Sequence, residues 1–246
     1  NRLPTRLAGY EADVLTDRTI EYLEKYDRDQ PLMLVLSVKP PHFPCRVEER
    51  WKRWRPEDLK VSPNFGKRDP FIEGMYFEMP QDLTLKGLVN YYAMVENLDW
   101  NIGRLLDALD RIPGFEDTLT VYMSDHGEYL GSHGIGVGKS LHHEESVRIP
   151  AIFRWPGVIP PQGSIDGLFS LLDMYATTLG LAGLPIPVHN QGWDFSHRLR
   201  GDQEAALPEY VMLEMVNPPR LGLSCMEWRG LVDERWKYAF YEDGRE

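Results

Sequence analysis

Two side chains that can bind a metal stand together where a strand-like run ends. The apolar run 119–123 is typical of a strand, and Asp125, His126 and Gly127 come soon after it. A carboxylate and an imidazole at such a position can hold a divalent ion together, provided that further ligands come from elsewhere. The alternative is an aspartate that forms a turn beside a solvated histidine. On these residues alone the two interpretations have equal weight.

Two further side chains could act on an anionic group. Lys139 lies in a glycine-rich loop, where an ammonium group near a metal would suit sulfate or phosphate. His42 lies in a stiff loop that also holds three prolines, and its imidazole could donate a proton to a leaving group. The alternatives are a solvated lysine and a structural histidine bonded to the backbone. Three more histidines, interpreted as solvated or as contacts around the site, are His133, His142 and His143.

The composition restricts the class of protein. A chain of 246 residues with 42% hydrophobic residues can bury a sizeable core. Its net charge of −11 argues against general nucleic-acid binding, which needs a basic face. No apolar run approaches the roughly 20 residues that cross a bilayer. Two cysteines, Cys45 and Cys225, exclude a disulfide scaffold and leave the cellular compartment open, and Cys45 is interpreted as a small buried residue.

The spacing of apolar residues predicts the elements that must position these side chains. Helices are predicted over 11–26, 84–112 and 168–182. Strands are predicted over 32–38, 118–123 and 149–153. Because helices alternate with strands up to residue 123, we expect the strands over 32–38 and 118–123 to be parallel and joined by a crossover. The segment 45–81, rich in arginine, proline and aromatic residues, is predicted to be a long surface excursion.

The C-terminal part of the chain has a different pattern. Short β-type runs at 210–215, 228–233 and 236–241 are separated by turns, which predicts a small antiparallel sheet. The sequence therefore predicts an α/β domain over 1–206 and a small β subdomain over 207–246.

The combined motifs resemble those of the sulfatases, within the alkaline phosphatase superfamily. The run SDHGEYLGSHGIGVGKSLHHEESVRIPAIFRWPG resembles the family's metal-binding strand end with the Gly-Lys, Glu-Ser-x-Arg-x-Pro and Trp-Pro-Gly motifs that follow it. PPHFP resembles the family's Pro-His-x-Pro loop, and YYAMVENLDWNIGRLLDALD resembles the long helix before the metal strand. The resemblance implies an α/β fold of the alkaline phosphatase type. Its mixed or parallel sheet would be flanked by helices, with a small C-terminal antiparallel β subdomain.

The resemblance also implies a function and a set of site residues. Asp125 and His126 would be ligands of one divalent ion, expected to be Ca²⁺, with Mn²⁺ or Mg²⁺ as alternatives. Lys139 and His42 would contact the sulfate and the bridging oxygen, and His42 would help the leaving group depart. The activity implied is that of a sulfuric ester hydrolase acting on a small-molecule or carbohydrate sulfate ester. Its nucleophile is a formylglycine, made from the Cys of a Cys-x-Pro-Ser-Arg motif.

The sequence departs from the family pattern at two places. It contains no Cys-x-Pro-Ser-Arg and no opening Asp-Asp pair, so we expect an N-terminal portion to be absent and the chain alone to be inactive. Many calcium sulfatases carry Asn where this chain has His126, whereas phosphonate monoester hydrolases carry Asp-His. A phosphonate or phosphate ester hydrolase, or a non-catalytic sulfatase-like binding protein, therefore stays an alternative. Family members are often secreted, periplasmic or lysosomal, and oligomeric state and compartment stay open.

Overall fold

The chain divides into two compact units, which are described separately below. The computed structural model describes residues 8–27, 29–72, 85–136, 138–161, 163–216 and 227–246. The first unit comprises Asn1–Thr118 with Leu130–Val137, and the second comprises Leu119–Tyr129 with Gly138–Glu246. The predicted boundary at residue 207 falls within the second unit and stays a prediction. Within the described ranges, no helix is both long enough and apolar enough to cross a bilayer.

Two α-helices lie in the described part of the first unit, and both were predicted. Helix α1 spans Glu11–Lys25, and helix α2 spans Leu85–Arg111. Acidic residues in the first turn of α1 and a lysine in its last turn complement the helix dipole. The two helices bury a common core whose fully or largely buried members are Leu23, Ala108, Leu109, Ile112 and Phe115.

The predicted strand over 32–38 is wrong. Met33 is 86% exposed and Val35 is 78% exposed. The run is extended but forms no ladder with any other segment that the structure describes. A continuous apolar run predicts a buried strand only if neighbouring strands pair with it on both sides, and the apolar pattern alone does not supply those neighbours.

The excursion after residue 45 is irregular, as predicted, and it packs on α2. Its short 3₁₀ turns lie at Glu49–Trp51, Pro56–Asp58 and Pro70–Ile72. The indole of Trp54 donates a hydrogen bond to Glu96 Oε2 at 2.9 Å. The excursion's last residues, 73–81, lie outside the described part of the chain, as does Cys225.

The second unit begins with two strands that run antiparallel. Strand β1 (Thr120–Met123) pairs with β2 (Ala151–Arg154), so that Thr120 lies opposite Arg154 and Met123 opposite Ala151. Both strands were predicted from the sequence, whereas the antiparallel direction of this pair was not. The described residues of the segment between them carry only the four-residue helix α3 (Glu144–Val147), and a parallel crossover usually needs a longer helix.

Helices and loops cover the β1–β2 pair and form a second core. Helix α4 spans Asp173–Leu181, inside the predicted range, and α5 spans Ser196–Leu199. Leu181, Phe195 and Leu199 are buried there, and Phe153 of β2 packs against them. This core anchors the strand pair whose ends carry the candidate site.

The predicted C-terminal antiparallel sheet is confirmed. Strands β3 (Val211–Met215), β4 (Trp228–Val232) and β5 (Lys237–Tyr241) lie in that order, and each pair is antiparallel. Trp228 of β4 lies opposite Tyr241 of β5, and both side chains are buried. Their stacked rings fix the inner face of this sheet.

Candidate active site

Asp125 and His126 follow β1 in a turn that their own hydrogen bonds hold. The backbone N–H of His126 donates to Asp125 Oδ1 at 3.1 Å, and the hydroxyl of Ser124 donates to the His126 carbonyl at 2.8 Å. The Asp125 side chain is 84% exposed, whereas that of His126 is 29% exposed. The strand end therefore presents a solvent-facing carboxylate beside a largely covered imidazole.

The hydrogen bonding of His126 leaves one ring nitrogen facing the carboxylate. Nδ1 lies 2.7 Å from the Gly127 carbonyl oxygen, which can only accept, so Nδ1 carries the proton. In the neutral ring, Nε2 then has a lone pair, and it lies 3.5 Å from Asp125 Oδ2. A histidine that ligates a metal commonly donates its other N–H to a backbone carbonyl in this way. These donors fit a divalent cation, although two residues supply only part of a coordination shell.

Gly127 allows the backbone after the pair to approach α3 closely. Its N–H donates to the Ser146 carbonyl at 2.8 Å. A Cβ at this position would lie 2.1 Å from the Glu145 carbonyl oxygen, far inside van der Waals contact. The position therefore requires glycine, and α3 fixes the direction in which the metal-competent pair points.

Glu128 closes the base of the loop that leads to Lys139. Its Oε1 accepts from the Tyr129 N–H at 3.1 Å and from the Gly138 N–H. Burial raises the pKa of the Glu128 carboxyl, and these two backbone hydrogen bonds and Lys139 oppose that shift. Sequence reasoning missed Glu128, although it is the one acidic residue between Gly127 and Lys139.

Lys139 is half-buried and lies between two residues whose backbones are held. Gly138, on one side, accepts from Tyr129 through its carbonyl at 3.1 Å. Ser140, on the other side, donates its N–H to Ser146 Oγ at 3.1 Å and accepts from the Trp228 indole N–H at 2.6 Å. The glycine-rich loop is therefore tied to the rest of the second unit on both sides of the lysine.

His42 lies in the first unit, whereas Asp125, His126 and Lys139 lie in the second. Its ring is exposed, and Nδ1 lies 2.6 Å from the Phe43 carbonyl oxygen. Its backbone N–H donates to the Lys39 carbonyl at 2.9 Å. Because the Phe43 carbonyl oxygen can only accept, Nδ1 is the donor in the contact with it. A proton given to a leaving group would therefore come from Nε2.

The other histidines near the site in sequence are packed rather than solvated. His133, with a φ of 55°, has Nδ1 3.1 Å from Asp69 Oδ2, and its carbonyl accepts from the Asp69 N–H at 3.1 Å. This pair lies in the first unit and ties the 130–137 loop to the excursion.

His142 and His143 stack on each other in the second unit, with ring centroids 4.4 Å apart. Nδ1 of His142 lies 2.9 Å from the Tyr241 hydroxyl, and Nδ1 of His143 lies 2.7 Å from the Tyr129 hydroxyl. Tyr129 and Tyr241 are both buried. These two imidazoles therefore connect the loop after Lys139 to the core of the unit, a role that local sequence patterns gave no reason to expect.

Comparison with known protein families matches the sequence of this chain to one of them. The sulfatase family model matches residues 1–184, which include all four candidate site residues. The chain belongs to the sulfatase family. A second model, for the C-terminal part of N-sulphoglucosamine sulphohydrolase, matches residues 131–246.

Individual sulfatases are similar to the chain over most of its length. The ulvan-active sulfatase of Formosa agariphila is 28% identical over 96% of this chain and 45% of its own length. The structure of yidJ from Bacteroides fragilis, assigned to the sulfatases, is 30% identical, with a TM-score of 0.76. The alignment covers 96% of this chain and 50% of yidJ. The chain thus spans about half the length of these relatives.

The fold itself is shared more widely. The phosphonate monoester hydrolase of Agrobacterium radiobacter has a TM-score of 0.77 at 23% identity, covering 95% of this chain and 53% of that one. The architecture is accordingly the mixed α/β fold of the alkaline phosphatase type, with small antiparallel sheets in this chain. Fold similarity alone does not separate sulfate from phosphonate ester hydrolysis.

Proposed function

We propose that the protein to which this chain belongs is a sulfuric ester hydrolase. The observation that carries the proposal is the Asp125–His126 pair, inside the region that matches the sulfatase model. His126 Nδ1 lies 2.7 Å from the Gly127 carbonyl oxygen, and Nε2 lies 3.5 Å from Asp125 Oδ2. In this proposal Asp125 and His126 hold one divalent ion, and Lys139 and His42 act on the sulfate ester.

Each side chain of this chain has a distinct task in the proposed reaction. Lys139 places an ammonium group, half-buried and therefore less screened than in water, against a sulfate oxygen on which negative charge develops. His42 gives a proton to the bridging oxygen as the S–O bond of the ester breaks. The divalent ion, when bound, adds positive charge that stabilises the transferring group.

In this proposal the nucleophile is not one of the 246 residues of this chain. We assign it to a formylglycine of the full-length protein. Cys45 is followed by Arg46 and Val47, so it lacks the Pro-Ser-Arg context of the Cys that matures to formylglycine. We therefore expect the 246-residue chain by itself to release no sulfate from an ester.

For the substrate and the metal, we propose a sulfated carbohydrate and Ca²⁺. The match of residues 131–246 to the C-terminal part of N-sulphoglucosamine sulphohydrolase supports a sugar sulfate. Asp125 offers the oxygen ligands that Ca²⁺ prefers, and further oxygens must complete its shell. Because His126 supplies a nitrogen, Mn²⁺ is the second candidate ion.

Hydrolysis by the full-length protein tests the proposal. We expect 4-nitrophenyl sulfate to be hydrolysed with a higher kcat/KM than a phosphonate monoester, with loss of activity on chelation and recovery with Ca²⁺. Asp125→Asn should lower kcat/KM at least about tenfold through weakened metal binding. A preference for the phosphonate would favour the related hydrolase, and no turnover of either ester would favour a binding protein on this scaffold.

A further inference from the structure

The backbone around Lys139 is held in a conformation that a serine rarely adopts. Ser140 has a φ of 100°, in the left-handed region that favours glycine. For a residue with a Cβ such a conformation is strained, and it persists only when surrounding contacts determine it. Two contacts do so here: the Ser140 N–H donates to Ser146 Oγ, and the Ser140 carbonyl accepts from the Trp228 indole.

The contact from Trp228 comes from a distant part of the sequence. Trp228 begins β4 of the C-terminal sheet and is 4% exposed. Its indole Nε1 donates to the Ser140 carbonyl oxygen at 2.6 Å, slightly shorter than the usual range for such hydrogen bonds. A buried indole N–H needs a partner, so this bond and the strained backbone that offers the carbonyl depend on each other.

Trp228 is itself fixed on three sides. Its ring stacks on Tyr241, with centroids 6.1 Å apart, and meets His142 edge-on at the same distance. The Tyr241 hydroxyl lies 2.9 Å from His142 Nδ1, and Lys237 Nζ donates to the His142 carbonyl at 2.8 Å. The strand pairing of Trp228 with Tyr241 adds backbone restraint. The donor that holds Ser140 is therefore part of a rigid cluster.

We infer that Trp228 is a positioning residue for Lys139. By holding the carbonyl of the residue directly after the lysine, the indole fixes the backbone from which the Lys139 side chain extends. The C-terminal sheet therefore helps to position the Lys139 ammonium group and is more than an appended subdomain. That Lys139 acts on a sulfate group rests on the proposed function, whereas the restraint on its backbone does not.

Hydrogen exchange measures the restraint without reference to activity. Trp228→Phe keeps an aromatic ring and removes the donor, and Trp236→Phe, an exposed tryptophan beside the same sheet, is the matched control. We expect the Ser140 amide of the 246-residue chain to exchange about tenfold faster in Trp228→Phe and at the native rate in Trp236→Phe. Equal exchange of Ser140 in the native chain and in Trp228→Phe would overturn the inference.

A second replacement covers the case in which Trp228→Phe does not fold. Benzothienylalanine at position 228 keeps the bicyclic shape and replaces the indole N–H with sulfur, so it removes only the hydrogen bond. The same acceleration of Ser140 exchange is expected with it. Native exchange in this folded variant would contradict the inference as directly as it would in Trp228→Phe.

A double-mutant cycle in the full-length protein then tests whether Trp228 acts through Lys139. We expect Trp228→Phe to lower kcat/KM for a sulfate ester about tenfold, and to lower it no further when Lys139→Ala is already present. Effects that multiply would show a general structural role and overturn the inference. If the intact wild-type protein hydrolyses no sulfate ester, the proposed function fails, and the exchange result alone decides the positioning of Lys139.

Discussion

Gly127→Ala probes the close approach that directs the metal-competent pair. The added Cβ would lie 2.1 Å from the Glu145 carbonyl oxygen and 3.2 Å from that of Ser146, and both obstacles are backbone atoms. The loop must therefore move, and the hydrogen bond from the Gly127 N–H to the Ser146 carbonyl is lost with it. The lost bond costs about 1 kcal/mol and the forced shift about 1–3 kcal/mol. Alanine also lowers the conformational entropy of the unfolded chain, which stabilises the folded state by about 0.4–1 kcal/mol and offsets part of this loss.

We therefore expect Gly127→Ala to lower the free energy of unfolding of the second unit by about 1–3.5 kcal/mol. Urea denaturation of the 246-residue chain, followed by circular dichroism and tryptophan fluorescence, measures this change. Gly103→Ala is the control, because a Cβ there meets nothing within 4 Å and the position is exposed in α2. It should be about 0.5–1 kcal/mol more stable than the native chain. Native stability of Gly127→Ala would refute the close approach.

Three further substitutions test the electrostatics and chemistry of the second unit. His126→Asn replaces a nitrogen ligand with an amide oxygen, so the affinity for Ca²⁺ should rise relative to that for Mn²⁺ in calorimetric titrations. An unchanged ratio of the two dissociation constants would mean that His126 is not a ligand. Burial raises the pKa of the Glu128 carboxyl above its ordinary 4.5. The folded chain is therefore destabilised relative to the unfolded chain as pH rises from about 4.5 through the raised pKa, because the carboxylate ionises less readily when it is buried. Over this pH interval, the free energy of unfolding of Glu128→Gln should fall less than that of the native chain. Equal falls in the two proteins would contradict this. Asp173→Ala leaves the backbone N–H groups of Ser170 and Trp193 without their acceptor and should cost about 2–4 kcal/mol in urea unfolding, whereas a loss under about 0.5 kcal/mol would contradict it.

The sequence predicted elements better than it predicted their pairing. The helices at Glu11–Lys25 and Leu85–Arg111 followed from apolar residues at helical spacing, which is a local property. The antiparallel direction of β2 relative to β1 was not predicted, because apolar patterns along the chain do not state how a short connection returns. The prediction of a strand over 32–38 was wrong, because a ladder depends on neighbouring strands that the run itself does not encode.

The same distinction holds for the candidate site. Asp125, His126 and Lys139 were predicted from residue type and context, and their roles stay predictions within the range that the family model matches. The tie between Trp228 and Ser140 joins residues 88 positions apart, and no local pattern predicts such a contact. The packed state of His142 and His143 was missed for the same reason, since their partners Tyr241 and Tyr129 are set by the tertiary fold.

Paramagnetic broadening by Mn²⁺ tests the central claim, that Asp125 and His126 hold a divalent ion, most directly. In nuclear magnetic resonance spectra of the 246-residue chain, substoichiometric Mn²⁺ should first broaden the signals of Asp125, His126 and Gly127. Asp125→Asn combined with His126→Ala should abolish that selective broadening, while the circular dichroism spectrum stays native. Broadening centred on other residues, or unchanged in the double variant, would contradict the metal site and remove the main support for the proposed reaction.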